Sequence, residues 1–282
     1  TGSIEDFRLN PFDNARAFAL FQELEFKTLV REFAEKQDPG KKDYHMITDA
    51  AELEQLVQTL QSADLFAIDT ETTAIDPMAA DLVGISVSCK PDTGFYIPLG
   101  HTDGTPQIEK PEVLRILGPV LADPDRPKAG QNIKYDMIVL ARYGMPLKGV
   151  VFDSMIASYL LNPVRRGHSL DQIAMDLFGY KMVSYEEVTG KGKDQIGFQD
   201  VPAKDAVFYA AEDADLTFMA YERLSGQLKD QELSELMATI EVPLIPVLAD
   251  MEMTGFRVDR TALARLSETF EAEMSQLEQE IY

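Results

Sequence analysis

Residues Leu65–Thr72 read LFAIDTET, a short apolar run that ends in two carboxylates separated by one residue. Side chains alternate between the two faces of a strand, so Asp69 and Glu71 are predicted to project from the same face. Two like charges this close repel each other unless a cation joins them. The stretch therefore suggests a divalent metal site at the end of a buried strand, but the pattern also arises by chance, and on its own it equally fits a solvent-exposed strand end.

The composition of the chain limits the classes of protein to which it can belong. It has 282 residues, of which 45% are hydrophobic, and its single cysteine excludes an internal disulfide and fits a reducing compartment. No apolar stretch reaches membrane-spanning length and no signal peptide opens the chain, which predicts a cytoplasmic protein without membrane contact. The formal net charge of −22 argues against broad affinity for phosphate backbones. Either the partner is not a nucleic acid, or the contacts are few and assisted by bound metal and local lysines.

The order of predicted elements indicates an α/β fold with a mixed central sheet. Strands are predicted at 44–48, 65–69, 82–89, 95–99, 127–129 and 150–152, and the KPDTG turn at 90–94 makes its two flanking strands antiparallel neighbours. A helix is predicted to begin at an Asp49 cap, and another over 132–143 at an Asn132 cap. Further helices are predicted at 14–35, 110–121, 153–161, 169–178, 201–228, 233–254 and 260–282. Residues 36–42 are predicted to be a linker, and residues 185–198 to be mostly loop.

Acidic residues also occupy inward positions on two predicted helices. At about 100° per residue, Asp213 falls within the apolar stripe of the 201–228 helix, and Tyr209 lies one turn before it on the same face. On the same projection Glu212 and Asp215 fall on the outer face and are predicted to be solvated. Asp136 lies on the inward face of the 132–143 helix. Carboxylates are rarely buried unless paired or bound, so several misplaced acids indicate a shared cation site.

The order and wording of these motifs resemble the tyrosine-bearing branch of the DEDD exonuclease superfamily. The segments FAIDTET, YIPLGH, GQNIKYD, EEVTGKGK and YAAEDAD are similar to the 3′→5′ proofreading exonuclease domain of bacterial family A DNA polymerases, over roughly residues 44–228. Residues 12–33 resemble the end of a preceding 5′-nuclease region, and residues 240–259 the beginning of a polymerase domain. The resemblance implies a nuclease tail and linker at 1–43, the exonuclease domain at 44–230 and a truncated polymerase start at 231–282.

The resemblance also implies a ribonuclease H-like exonuclease fold, a two-metal-ion mechanism and a set of site residues. Tyr209 would orient the attacking water. The metal ligands would be Asp69, Glu71, Asp136 and Asp213. The cofactors would be two Mg²⁺ ions, with Mn²⁺ able to substitute, and the partners a single-stranded DNA 3′ end and the polymerase domain of the same monomeric chain, at the bacterial nucleoid. The DNA contacts would be Ile75, Gln131, Asn132, Lys134 and Tyr185. One departure from the family pattern is Gly167, which stands before His168 where a basic residue is expected.

Three other interpretations compete with a proofreading exonuclease. A ribonuclease D-like enzyme would use the same four acids on RNA, although the matches outside the catalytic motifs favour the polymerase family. A domain with idle acids would serve as a structural spacer or a single-strand-binding module within a polymerase. A phospho-acceptor receiver also clusters acids at strand ends, but the lysine and all-parallel strand order expected of it are not apparent.

Overall fold

The computed structural model describes residues 13–24, 26, 29, 33 and 42–282. By its internal contacts the chain divides into two compact units, Thr1–Ala249 and Asp250–Tyr282. Helix α1 spans Asn14–Glu23, within the stretch predicted to be helical. Most of the predicted linker at 36–42 lies outside the described residues, as does part of the segment at 12–33 that resembles the end of a nuclease region.

Six strands form one mixed sheet in the larger unit. They are β1 (Asp43–Met46), β2 (Phe66–Thr72), β3 (Leu82–Ser88), β4 (Thr93–Pro98), β5 (Lys128–Gly130) and β6 (Val150–Asp153). Their spatial order is β1-β4-β3-β2-β5-β6. The β2–β3 and β3–β4 pairs are antiparallel, and the other three pairs are parallel. The structure thus confirms the mixed sheet, with β2 at its centre.

Most helices lie at the predicted positions. In chain order after α1 they are α2 (Ala50–Ser62), α3 (Lys110–Ala122), α4 (Lys134–Arg142), α5 (Ser154–Leu161), α6 (Leu170–Phe178), α7 (Tyr185–Thr189), α8 (Ala203–Asp230), α9 (Ser234–Leu236), α10 (Val242–Thr254) and α11 (Arg260–Ile281). A π-helical turn, Met237–Glu241, separates α9 from α10. The single helix predicted over 233–254 is therefore interrupted. None of the helices in the described part of the chain is long and apolar enough to cross a bilayer.

Apolar packing on both faces of the sheet fixes the direction in which the β2 acids point. Ile68 of β2 belongs to a cluster with residues of α2 and α3, whereas Ala67 packs with residues of α8 such as Leu224. Because strand side chains alternate, Asp69 and Glu71 share the face of Ala67. The two acids therefore face helix α8.

The sheet and α8 approach each other closely at Gly94 of β4. A Cβ atom at Gly94 would lie 2.7 Å from the carbonyl oxygen and 2.9 Å from the Cβ of Ala211. Glycine opposite alanine lets the helix backbone settle directly on the strand. Ala211 lies two residues before Asp213, so this contact helps to position the helix that carries the acid.

The start of α4 differs from the prediction. Asn132 does not cap the helix; it has a φ of 54°, in the left-handed region that asparagine tolerates better than most residues. The helix begins at Lys134 after Ile133 in the cap position. The Ile133 N–H donates to Asp153 Oδ2 at 2.8 Å, so an acid distant in sequence supplies the cap. A local sequence pattern does not contain that partner.

The segment predicted to be loop contains a short helix. Helix α7 begins after Ser184, whose hydroxyl accepts from the Glu187 N–H while the Glu187 carboxylate accepts from the Ser184 N–H. This reciprocal capping box satisfies two backbone donors that a helix of this length would otherwise leave unpaired. The pattern S-x-x-E at 184–187 is the signal that sequence reasoning missed.

Candidate active site

Three of the four predicted acids converge between the central strand and α8. One carboxylate oxygen from each of Asp69, Glu71 and Asp213 lies within 4.8 Å of the other two. Strand β2 supplies the first two residues and α8 supplies the third. Asp69 and Asp213 are partly exposed, whereas Glu71 is buried. Side chains more than 140 positions apart in sequence thus form one acidic cluster.

Asp136 lies beside this cluster on α4 and is 2% exposed. Its Oδ1 accepts a hydrogen bond from Thr70 Oγ1, and its negative charge contributes to raising the pKa of Glu71. Its oxygens lie outside the trio that meets within 4.8 Å. The structure therefore brings all four predicted acids together, three in close contact and one adjacent to them.

Burial raises the pKa of all four carboxyl groups well above the usual carboxyl range, and repulsion from neighbouring acids raises it further. A divalent cation would reverse both effects, since it replaces lost hydration and neutralises the repulsion. Glu71 Oε1 supports this fit, because it is buried with no hydrogen-bond partner in the described part of the chain. A buried acceptor left unpaired is costly. The donor set consists of hard carboxylate oxygens, which Mg²⁺ and Mn²⁺ prefer.

Tyr209 lies one helical turn before Asp213 on α8, close enough for the two side chains to influence each other's ionisation. The Asp213 charge raises the pKa of Tyr209 far above its ordinary value, and burial adds to the shift. The phenol is therefore protonated at neutral pH. It can orient a neighbour by hydrogen bonding, but it cannot act as a base at neutral pH.

An aromatic group lies next to Tyr209. The ring of Tyr185, from α7, meets the Tyr209 ring edge-on at a centroid distance of 6.4 Å. Phe198 stacks against Tyr185 at 6.2 Å and contacts Tyr209 at 5.7 Å. Phe198 is fully buried and was missed from the sequence, where it stands in a stretch without helical or strand periodicity. The Phe198 ring thus packs against both tyrosine rings.

Two clefts open on the acidic cluster. The first, of about 580 Å³, is bordered by Tyr209 and Asp213 and by the segment from Lys181 to Tyr185. The second, of about 550 Å³, is bordered by Asp136, Asn132 and the 166–169 turn. Asp69, Gln131 and Leu170 border both clefts. The acids thus sit where two adjoining grooves meet.

The residues predicted to contact DNA lie around these grooves with different degrees of exposure. Ile75 is 95% exposed in the β2–β3 connection, and Tyr185 is 42% exposed. Gln131 is held by its own contacts, because its Nε2 donates to the carbonyl of His168 at 2.9 Å. Lys134 is partly buried at the start of α4.

The prediction that Glu212 and Asp215 are solvated is wrong. Both are buried, at 1% and 0% exposure. The Glu212 carboxylate accepts from Tyr180 OH and from the Val183 N–H, and burial raises its pKa to about 7. Helix α8 contacts the sheet and also α5, α6 and α7. The face of α8 that periodicity alone assigns to solvent is therefore covered by neighbouring elements.

Asp215 lies in a second buried network on the other side of α8. Its Oδ2 accepts from Lys42 Nζ at 2.8 Å and from Tyr44 OH at 2.7 Å, and its Oδ1 accepts from the Asp92 N–H at 2.8 Å. The Lys42 side chain is 4% exposed. These hydrogen bonds and the Lys42–Asp215 ion pair thus connect α8, the helix that carries Asp213, to β1 and to the β3–β4 turn.

Most of this chain is similar in sequence to known proteins. The model of a 3′-5′ exonuclease family matches residues 44–229. DNA polymerase I of Pseudomonas aeruginosa is 37% identical over 281 residues, covering 94% of this chain and 31% of that protein. DNA polymerase I of Chloroflexus aurantiacus is 35% identical over 325 residues, covering 99% of this chain and 34% of that protein. The chain spans about a third of the length of these curated relatives.

Solved structures share the fold. The POL domain of Pol1 from M. smegmatis, in complex with DNA primer-template and dNTP, superposes with a TM-score of 0.66 at 23% identity, covering 82% of this chain and 36% of that one. Brucella melitensis NrnC superposes with a TM-score of 0.58 at 18% identity, covering 78% of this chain and 98% of that one. At these identities the likeness establishes the α/β exonuclease fold alone.

Proposed function

Because the chain belongs to the 3′-5′ exonuclease family, we propose that it removes nucleotides one at a time from the 3′ end of single-stranded or frayed DNA, as the proofreading part of a DNA polymerase I. The observation that carries the proposal is the meeting of three carboxylates within 4.8 Å, with a fourth acid beside them. Such a cluster fits phosphodiester hydrolysis assisted by divalent metal ions.

The four acids would hold two Mg²⁺ ions, for which Mn²⁺ could substitute. We assign Asp69 as the shared ligand, Glu71 and Asp213 to the first ion, and Asp136 to the second. This division is implied by the resemblance to proofreading exonucleases, and the position of Asp136 outside the close trio supports it. Bound ions at this position would lower the pKa of water and offset the negative charge that develops on the phosphate and the leaving oxygen.

The protein's own groups would position the reactants. Tyr209 offers a protonated hydroxyl next to Asp213, so it would hold the attacking water in line rather than remove its proton. Burial of Glu71 and Asp136 excludes bulk water from one side of the cluster. Electrostatic interactions at the site are stronger for that reason.

The two adjoining clefts would accept the last nucleotides of a single strand. Tyr185 exposes part of its ring in the first cleft, and a base could stack on it.

Ile75 projects from a loop that α4 holds in place, since Arg142 Nη1 donates to the Pro77 carbonyl at 2.8 Å. An apolar side chain on a fixed loop is suited to separate terminal bases. Gln131, Asn132 and Lys134 would contact the strand near the second cleft.

The wider organisation of the protein is part of the same proposal. We assign residues 44–230 to the exonuclease domain, residues 1–43 to the tail of an upstream nuclease region and linker, and residues 231–282 to the start of a polymerase domain. The protein would act as a monomer in the bacterial cytoplasm, at the nucleoid, together with its polymerase domain.

The direct test is digestion of matched 5′-labelled DNA and RNA strands with Mg²⁺ or with EDTA. We expect a ladder of DNA products that shorten by one nucleotide from the 3′ end, only with Mg²⁺. Asp213→Asn should abolish the ladder, and Glu222→Gln, on the exposed side of the same helix, should preserve it. Preferential cleavage of RNA would indicate a ribonuclease D-like enzyme instead. Absence of cleavage, with no heat of Mg²⁺ binding at millimolar metal, would indicate an idle scaffold.

A further inference from the structure

We propose that Glu212 is a positioning residue that fixes the wall of the first cleft opposite the metal-binding acids, and thereby sets the affinity for the single strand. The inference rests on the proposed function for its substrate. Glu212 adjoins Asp213 on α8, so one turn of helix holds a metal-binding acid and the anchor of the facing wall.

The wall itself has little regular structure. Helix α6 ends at Gly179, which has a φ of 63°, and α7 begins only at Tyr185. The intervening residues, from Lys181 to Ser184, border the cleft. Irregular backbone is not held by its own hydrogen-bond ladder, so its position depends on contacts with neighbouring elements.

Glu212 provides such contacts at both ends of that segment. Its Oε1 accepts from Tyr180 OH, and its Oε2 accepts from the Val183 N–H at 2.8 Å. Tyr180 and Met182 also pack against Leu216 of α8. Tyr185 follows the anchored segment directly, so the segment determines where its ring stands relative to Tyr209.

Burial of an acid at this point is otherwise unexplained. Glu212 is 1% exposed and is not among the three acids whose oxygens meet at the metal-binding cluster. A leucine or methionine in its place would satisfy packing at lower desolvation cost. A carboxylate is useful here because it accepts two hydrogen bonds from two points of one loop.

The test is the steady-state kinetics of exonuclease digestion in Glu212→Met, which keeps the side-chain length and removes both acceptors. Leaving the Val183 N–H unpaired should shift the wall and raise KM for a single strand about tenfold, with kcat changed less than threefold. Glu212→Gln should restore KM to within about twofold of the wild type, because its Oε1 can accept from the Val183 N–H while its Nε2 donates to the Tyr180 oxygen.

A matched control separates positioning from stability. Leu228 is buried on the same helix, about 24 Å from Glu212 along the axis. Leu228→Ala should lower the unfolding midpoint at least as much as Glu212→Met and leave KM unchanged. If Glu212→Met does not fold, Tyr180→Phe removes one of the two donors and should raise KM two- to fivefold.

The inference is overturned if Glu212→Met loses stability but keeps the wild-type KM, or if Glu212→Gln behaves like Glu212→Met. Fluorescence anisotropy of a labelled thymidine oligonucleotide with the same variants measures the strand affinity without catalysis. If the wild type binds the strand but does not cleave it, the proposed function fails. The ratio of dissociation constants between Glu212→Met and the wild type then still decides whether Glu212 positions the wall.

Discussion

Neutralising one acid of the cluster should stabilise the metal-free protein, and Asp69→Asn is the most direct perturbation. The three close carboxylates present oxygens within 4.8 Å of one another. Two full charges at that distance repel by about 3.5 kcal/mol at an effective dielectric constant of about 20. Because proton uptake relieves part of the repulsion, we expect the free energy of unfolding in EDTA to rise by about 1–3 kcal/mol.

The pH dependence of that gain has a definite sign. Burial and repulsion raise the carboxyl pKa values in the folded state, so the folded protein binds more protons than the unfolded chain above the usual carboxyl range. Its stability therefore falls as the pH rises through that range. The advantage of Asp69→Asn should be largest at neutral pH. It should fade as the pH falls towards about 4, where the unfolded carboxyls also become protonated.

Magnesium should reverse the order of the two proteins. A ligand at 100 times its dissociation constant stabilises the folded state by about 2.7 kcal/mol, and the wild type keeps the complete ligand set. Differential scanning calorimetry in EDTA and in excess Mg²⁺ measures both effects, with about 2–4 °C of melting temperature for each kcal/mol in a protein of this size. Glu222→Gln removes the same charge from an exposed position and should alter neither midpoint by more than about 1 °C. If Asp69→Asn melts below the wild type in EDTA, repulsion among the acids does not destabilise the metal-free protein. If it gains as much from Mg²⁺ as the wild type does, Asp69 does not hold the cation.

Three further substitutions test other parts of the structure. Tyr209→Phe should slow cleavage about ten- to a thousandfold in single-turnover assays while the calorimetric response to Mg²⁺ is retained; a normal rate would remove the hydroxyl from the mechanism. Lys42→Met should lower the free energy of unfolding by about 3–5 kcal/mol, because Asp215 loses its buried cation; urea denaturation measures this, and a loss below about 1 kcal/mol would contradict it. Ile75→Ala should leave stability within about 0.5 kcal/mol of the wild type, since the side chain is 95% exposed. It should nevertheless slow digestion of a paired 3′ end more than that of a single strand, and equal slowing of both would refute its role in separating bases.

The acidic cluster could be predicted because each member departs from a local pattern. Asp69 and Glu71 follow a buried apolar run, and Asp213 interrupts the apolar stripe of a long helix. Period and polarity are properties of neighbouring residues, so a single sequence contains them. The fold class followed in the same way, from the order in which strands and helices alternate.

The two buried acids on α8 could not be predicted by the same reasoning. A projection at 100° per residue assigns one face to the core, which is correct for a helix packed on one side. Helix α8 instead has the sheet on one side and other helices around it. Glu212 and Asp215 meet partners from residues 180–183 and 42–44 respectively. These pairings join segments that are distant in the chain, and only the tertiary arrangement reveals them.

A chain with a net charge of −22 does not attract DNA through its overall field, so the proposed function requires positive charge within the clefts. Lys181 and Lys191 border the first cleft and Arg166 borders the second. Lys191 is already paired with Glu186 at 2.8 Å, which reduces its effect on a phosphate. Divalent ions held by the acids would therefore provide much of the local positive charge. Because few phosphates would be neutralised by side chains, strand binding should depend weakly on monovalent salt and strongly on divalent metal. Carboxylates without bound metal would repel DNA over the rest of the surface. The carboxylates of the acidic cluster would instead attract the strand through their bound ions, and the 3′ end would bind there.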